Sequence, residues 1–283
     1  MKNATLLTLL TLIFAVFTAG CIDELIAVDQ SADIPDIYAY EFDVFVNETA
    51  NDDSTVVNTT TFYLLNNASL KAVHMLVNAS ILDIMAIDDL SSNSDTPTNI
   101  VVIADHANET HASIEMFTIY SRANSVSDIN YALTKNVVFG QKQTYLEFNE
   151  TITGFVAYTM SMPKGQDFAH HPTPASIVRL VLPPGYTTGN PFIGTARPKP
   201  DKVYSDDEGR EKLIWYDLDS RDTIIVKYYS KSAPRMLLIG GTILAIGTLI
   251  ILASSRITQQ RLKKIRDQIE EDASKRKNNK KNK

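Results

Sequence analysis

Two long apolar runs frame this chain, and short alternating segments fill the region between them. Residues 4–20 and 236–253 contain no charged side chain. Residues 38–46 alternate so that Tyr38, Tyr40 and Phe42 share one face, the pattern of a half-buried strand. Turn-forming Asn, Asp, Ser and Thr separate similar runs. We therefore expect further strands at 55–65, 71–77, 81–87, 99–104, 113–120, 144–148 and 154–160, and one short helix at 125–133.

A proline-rich break divides this region. Residues 163–175 contain three prolines and a glycine, which are typical of a linker. Strands are expected again at 176–182, 213–216 and 223–229, with a loop over 189–209. The chain thus predicts a mainly β, antiparallel sandwich-like ectodomain in one or two units. The proposed units are residues 21–162 and a membrane-proximal unit at 176–233.

The C-terminal apolar run has the length of a membrane span. As a helix, residues 236–253 rise about 27 Å, close to the hydrocarbon thickness of about 30 Å. We place the transmembrane helix at 236–255. The remaining residues, 256–283, carry eleven basic and four acidic side chains. By the positive-inside rule this tail is cytoplasmic and the β domain lies outside the cell membrane.

Charge is distributed unevenly around the membrane span. The whole chain has a net charge of -6, but residues 22–235 hold 15 basic and 29 acidic side chains. A body this acidic repels phosphate, which argues against nucleic-acid binding. The expected partners are membrane lipid and other envelope or membrane-complex proteins.

The N-terminal run ends at Cys21, the only cysteine of the chain. Lys2, the apolar centre and Thr18-Ala19-Gly20 supply the parts of a signal peptide over residues 1–20, although an uncleaved anchor remains the alternative. Small residues directly before a cysteine resemble the lipobox of prokaryotic lipoproteins, in which that cysteine is lipidated. A lone cysteine is also not half of a disulfide. We expect lipid at Cys21, and hence two membrane tethers.

Six N-x-S/T triplets in the exported part of the chain mark candidate glycosylation sites, and all precede residue 150. This is more than a region of such composition gives by chance. Lipobox-like processing is prokaryotic, whereas dense acceptor triplets are typical of archaea and eukaryotes, so the combination indicates an archaeal protein. The acceptors are Asn47, Asn58, Asn67, Asn78, Asn108 and Asn149.

Candidates for catalysis are sparse. His106 and His111 flank acidic residues and are the best metal ligands on offer, but their spacing is not that of a zinc protease. No nucleophile elbow, phosphate-binding loop or dinucleotide fingerprint occurs. We expect no catalytic residue and no cofactor. In the membrane helix, Gly241 and Ala245 have the spacing of close helix packing, which permits a homodimer.

Several of these motifs together resemble a known family. A lipobox-like Cys21, the segment IVRLVLPPGY, the lone tryptophan in LIWYDL, the run TIIVKYY, one membrane helix and a basic tail are similar to predicted archaeal membrane lipoproteins of unknown function. The resemblance implies location and topology, and it implies no activity.

These features favour a non-catalytic surface lipoprotein that binds an envelope component. One alternative is an accessory or receptor-like subunit that acts through its cytoplasmic tail. The other is a metal-dependent surface enzyme.

Overall fold

The computed structural model describes residues 35–46, 56–84, 96–106, 112–138, 141–162, 167–172, 176–191, 193–216, 218 and 222–281. From Ile37 onward the chain forms one compact unit. The two α-helices are α1, Ile114–Tyr120, and α2, Ala233–Lys281, and Ile37–Ala39 form a short 3-10 helix. The strands are β1 Thr59–Leu64, β2 Ser69–Ile84, β3 Thr98–His106, β4 Tyr131–Val138, β5 Gln141–Ser161, β6 Asp167–His170, β7 Ile177–Val181, β8 Tyr186–Thr187, β9 Thr195–Arg197, β10 Lys202–Ser205, β11 Glu211–Trp215, β12 Ile224–Lys227 and β13 Tyr229–Ser230.

An eight-stranded main sheet organises the domain. Its strands follow the order β10-β11-β7-β1-β2-β5-β3, and β4 pairs with the first half of β5. All its described pairings are antiparallel except β1 with β7, which run parallel. Because β7 lies beside β1, segments before and after the proline-rich break share one sheet. Of the two arrangements left open by the sequence, the structure has the single β unit.

The register of β2 against β5 shifts twice, between Leu76 and Ala79 and between Ala79 and Ile81. Asn78 adopts a left-handed φ of 50° inside this irregularity, a conformation that asparagine tolerates better than most residues. Beyond it, β5 exchanges its neighbour β3 for β4. The shift therefore lets one long strand serve two parts of the sheet.

A second sheet, β6-β12-β9, covers one face of the main sheet. Phe62 of β1, Trp215 of β11, Phe168 of β6 and Val226 of β12 belong to one buried cluster. This arrangement is the expected sandwich. Strand β6 occupies residues that the sequence assigned to a linker, because Phe168 is wholly buried in that cluster.

The opposite face of the main sheet is covered by α1 and by residues 37–46, which we call the strap. Ile37 and Tyr40 of the strap and Phe117 of α1 belong to a second buried cluster, packed on Phe155 of β5. The strap was expected to be a strand, but residues 40–46 join no strand in the described part of the chain. Its side chains, and not ladder hydrogen bonds, attach it to the sheet.

Two further elements differ from the sequence-based expectation. Residues 113–120 form α1 and not a strand, because the Ser113 hydroxyl accepts the Met116 backbone N–H at 3.2 Å and so caps the helix. Residues 125–130 are not helical, since Ser127 gives its hydrogen bonds to β3. Its N–H donates to the Val102 carbonyl at 2.8 Å, and its hydroxyl accepts the Ala104 N–H at 3.0 Å.

Helix α2 contains 49 residues and is therefore about 74 Å long. Within it, Ala233–Ile269 is long and apolar enough to cross a membrane. The most apolar window of this stretch has a mean hydropathy of 2.5, and none of it is buried. A long helix with an uncovered apolar surface indicates membrane anchoring.

Candidate functional site

The hydrogen bonds of Lys231 show at which end of the main sheet α2 begins. Its backbone N–H donates to the Gly185 carbonyl at 2.8 Å, and its ammonium donates to the Gly209 carbonyl at 3.3 Å. These glycines follow β7 and precede β11. The β1–β2 turn lies at the same end, because β1 runs parallel to β7. We call this the near end of the sheet and the opposite one the far end.

The strap also starts at the near end. The Lys71 ammonium, close to the beginning of β2, donates to the Ala39 carbonyl at 2.7 Å. From there the strap crosses the sheet, and its Phe45 ring reaches Tyr216 just after β11, with 6.1 Å between the ring centroids. The chain therefore enters the β domain and leaves it for α2 at the same end.

Arg210 joins the strap to the β10–β11 turn. Its guanidinium donates to the two carboxylate oxygens of Glu41 at 2.6 and 2.9 Å, and its Nε donates to Asp206 at 2.8 Å. Asp206 also accepts the backbone N–H groups of Glu208 and Arg210 and so closes the turn. The hydrogen bond to Glu41 raises the pKa of Arg210. Burial opposes ionisation of Asp206, but hydrogen bonds from Arg210 outweigh it and lower its pKa.

A second arginine holds the middle of the strap. Arg179 of β7 is only 4% exposed, and its Nη2 lies 3.1 Å from the Asp43 carboxylate. Its Nη1 donates to the Thr61 hydroxyl at 3.4 Å, and the Phe45 ring centroid lies 4.7 Å from the guanidinium carbon. Its Nε has no hydrogen-bond partner among the described residues. Removing the Asp43 charge would therefore leave a buried cation poorly compensated.

A groove of about 230 Å³ opens beside Arg210 at the near end. Leu65 and Pro184 form apolar walls, and Lys71 and Glu208 place opposite charges along it. The groove therefore offers an apolar contact surface together with charges of both signs.

Two histidines lie between the sheets, His74 buried and His170 half-buried. His74 of β2 contacts the Thr60 hydroxyl through Nδ1 at 3.0 Å and the Tyr158 hydroxyl through Nε2 at 3.2 Å. His170 of β6 packs edge-on against Phe62, with 4.6 Å between the ring centroids, and its Nδ1 has no partner in the described residues. Burial, and secondarily the neighbouring His170, lowers the pKa of His74 to about 3. Burial, and secondarily His171, lowers the pKa of His170 to about 3 as well.

Sequence reasoning did not identify this pair, because the two histidines are far apart along the chain. The only available signal was the apolar surroundings of His74 in the run KAVHMLV. His170 and the adjacent His171 point apart: His170 faces the buried cluster, whereas His171 is exposed and its Nδ1 lies 3.3 Å from the Thr223 hydroxyl. A chelating pair at these neighbouring positions is therefore not formed.

Four of the six predicted sugar acceptors fall on described residues, and all four are exposed. The Asn58 side-chain oxygen accepts the Val77 backbone N–H at 2.7 Å, which places Asn58 beside Asn78 in the far part of the sheet. Asn149 lies in β5 next to the same register shift. The fourth, Asn67, lies in the β1–β2 turn at the near end. The remaining acceptors, Asn47 and Asn108, lie outside the described residues, as does Cys21.

The structure pairs His106 with a carboxylate. Its Nδ1 lies 3.1 Å from Glu150, and both side chains are more than half exposed. His111 lies outside the described residues. In the part of the chain that the structure describes, no three His, Cys, Asp or Glu side chains are grouped as metal ligands. A metal held by His106 and His111 therefore stays a prediction.

Gly241 and Ala245 are both exposed, one turn apart on α2. A Cβ placed on Gly241 meets no atom within 4 Å, so this surface has room for the close approach of another helix. Dimerisation through this surface stays a prediction.

Comparison with other proteins places the chain in a family. A search of curated proteins finds no match. A comparison with protein families matches residues 56–274 to DUF5803, described as a family of unknown function. The matched region runs from just before β1 through β13 and into α2 as far as residue 274. It therefore covers more than half of the chain, including the main sheet and the apolar run of α2, and it begins after the strap. The chain belongs to DUF5803, a family of unknown function.

Proposed function

We propose that this protein is a doubly tethered cell-surface lipoprotein whose β domain binds an envelope component without catalysis. The domain lies outside the cell membrane and carries sugars, at Asn58, Asn78 and Asn149 in its far part and at Asn67 in the β1–β2 turn of the near end. Its C-terminal tail is cytoplasmic. The source is an archaeon, and the first mature residue is the lipidated Cys21.

One observation carries this proposal: the strap enters and α2 leaves at the same end of the sheet. Lys71 holds the start of the strap at the near end, and Lys231 holds the start of α2 there. Two anchors in one membrane fit this arrangement, because both attachments then reach the membrane from the same end of the domain. Because both anchors are attached at the near end of the sheet, the far end faces the exterior.

The length of chain before the strap is compatible with a lipid anchor in the same membrane. Fifteen residues lie between Cys21 and Ile37, and the sixteen steps from one Cα to the next reach about 53–58 Å when extended. Lipid at Cys21 adds a second attachment to the one that α2 supplies. Such double attachment is typical of stable lipid anchoring, since a single acyl chain binds a membrane only marginally.

The distribution of charged residues supports an orientation with the C-terminal tail in the cytoplasm and the β domain outside. Eleven basic side chains follow the uncharged run 236–253 of α2, whereas the β domain carries an excess of acidic ones. Basic residues are retained on the cytoplasmic side, and an acidic domain repels the anionic surface of a membrane except where local cations face it. The ion pairs of Arg210 with Glu41 and of Arg179 with Asp43 hold the strap on the sheet, and a surface fixed in this way suits binding.

The test is purification of the crosslinked protein from native membranes, with identification of the proteins that accompany it. Stoichiometric recovery of an external envelope protein would support the proposal. Recovery of a transporter or secretion complex would favour an accessory-subunit role. Recovery of the protein alone, together with loss of its dimer in a Gly241→Leu variant, would instead indicate a homodimer without an envelope partner and would contradict the proposal.

The accessory-subunit role also has an observation in its favour. Helix α2 continues beyond its apolar part to Lys281, and Leu262, Ile265 and Ile269 form an exposed stripe at helical spacing. A stripe of this kind fits a partner helix or the inner leaflet of the membrane. Removing residues 257–283 separates the two roles. A purely external function survives the deletion as long as the protein still inserts, whereas a tail-dependent function is lost.

A further inference from the structure

The junction between the β domain and α2 is unusually short. Strand β13 ends at Ser230, and α2 begins at Ala233. Lys231, the first residue after β13, is itself hydrogen-bonded to the two turns of the near end through Gly185 and Gly209. These turns therefore have a fixed position relative to the start of the helix, and no flexible spacer separates them from it.

This junction limits how far the near end can stand from the membrane. From Lys231 to Ala233 the chain reaches at most about 7 Å, and from Ala233 to Met236 the helix rises about 4.5 Å. Met236 opens the uncharged run of α2. Lys231 therefore lies within about 12 Å of the hydrocarbon, and the headgroup layer occupies about 5–8 Å of that distance.

The groups that project from the near end are exposed and charged. Lys231 and Arg235 are exposed cations on either side of the start of α2, and Asp207 is exposed at the tip of the β10–β11 turn. The adjacent Arg210 is only 13% exposed and is occupied by Glu41 and Asp206. Lys231 and Arg235 are consequently the cations best placed to meet a phosphate at the membrane surface.

Resting on the proposed membrane anchoring, we infer that the near end of the sheet sits directly on lipid headgroups. Lys231 and Arg235 contact headgroup phosphate, and the tip of the β10–β11 turn touches the headgroup layer. The β domain is thus a docked domain with one defined face on the membrane, and not a domain suspended above it. The far part, with Asn58, Asn78 and Asn149, is the surface left open to the exterior.

The experiment uses full-length protein reconstituted into phosphatidylcholine vesicles with and without phosphatidylglycerol. Because the chain has a single cysteine, a Cys21→Ser background allows one fluorophore to be attached at Asp207→Cys, and in a matched variant at Asn149→Cys. Lipids with a nitroxide in the headgroup quench a fluorophore that touches the surface. We expect strong quenching at position 207 and little at position 149.

Two further variants test whether the short junction and the two cations cause the contact between the β10–β11 turn and the headgroups. A flexible Gly-Ser spacer inserted between Ser232 and Ala233 should abolish the quenching at position 207 while the protein stays in the membrane. Replacing both cations, Lys231→Gln with Arg235→Gln, should weaken the quenching, and more so in phosphatidylglycerol vesicles. Equal quenching at positions 207 and 149, or quenching that survives the spacer unchanged, would overturn the inference. Extraction of the protein from vesicles by alkaline carbonate would overturn the membrane anchoring itself, and the inference with it.

Discussion

Acid should destabilise the β domain because the fold holds two interior histidines, His74 buried and His170 half-buried, without charge. Folding lowers the pKa of His74 and of His170 from about 6.5 to about 3, in both cases chiefly by burial. Between these values the unfolded chain binds more protons than the folded one. Stability is therefore fully present above about pH 6.5 and is lost progressively as the pH falls toward about 3.

The size of the effect follows from the same two pKa values. At about pH 5 each interior histidine favours the unfolded state by about 2 kcal/mol relative to about pH 8, because each pH unit below 6.5 contributes about 1.4 kcal/mol. The two together remove about 4 kcal/mol, a large part of the 5–15 kcal/mol that is usual for a folded domain. Asp206, whose pKa the fold lowers, contributes to acid sensitivity only near and below its ordinary pKa of 3.8.

Urea unfolding of the full chain in a nonionic detergent measures this loss. Trp215 is the only tryptophan and is 1% exposed, so its fluorescence reports opening of the space between the sheets. His74→Gln should remove about half of the change in unfolding free energy between about pH 8 and pH 5, as should His170→Gln. His171→Gln changes an exposed neighbour and serves as the matched control.

The reasoning would be refuted by an unchanged pH dependence in both His74→Gln and His170→Gln. If the unfolding free energy of all three variants depended on pH as that of the original protein does, neither His74 nor His170 would be held neutral by the fold. If only His171→Gln reduced this pH dependence, the effect would belong to the exposed His171 ring.

Four other substitutions have definite expected outcomes. Asp43→Asn should cost about 2–3 kcal/mol of unfolding free energy, because it leaves the buried Arg179 guanidinium without its carboxylate. Glu41→Gln removes a half-exposed partner and should cost about 1 kcal/mol or less in the same urea titration. Gly154→Ala should cost about 3 kcal/mol or more, because a Cβ there overlaps the β3 backbone; circular dichroism melting would show it. Leu244→Lys places a charge in the apolar part of α2 at a cost of about 3 kcal/mol, and should make the protein extractable by alkaline carbonate.

The sequence predicted several strands correctly because the order of apolar and polar residues over a few positions is enough to indicate a buried strand. The run IVRLV is apolar enough to indicate a buried strand, and β7 is buried at all five positions. Residues 113–120 were predicted as a strand because their apolar residues also fit an alternating pattern. The structure has helix α1 there, and the Ser113 cap favours the helix. The strap alternates as a strand does, yet it joins none, since its attachment depends on partners distant in sequence.

The candidate site depended almost wholly on such distant partners. Glu41 meets Arg210 across 169 positions, and Asp43 meets Arg179 across 136. Neither pair leaves a signal in a single sequence, because a charged residue in a strand or loop has many equally plausible solvated positions. The same holds for His74 and Tyr158, which are 84 positions apart.

The sequence by itself determined the mainly β character of the domain, the uncharged C-terminal span and the charge difference across it. These properties follow from composition and short-range periodicity, because they depend only on whether each residue prefers water, the protein interior or lipid. Only the tertiary structure decided that the strap is held by two arginines, that two interior histidines are uncharged, and that the chain enters and leaves the domain at one end. Each of these depends on which strands lie side by side, and strand pairing is a long-range choice that local preferences do not encode.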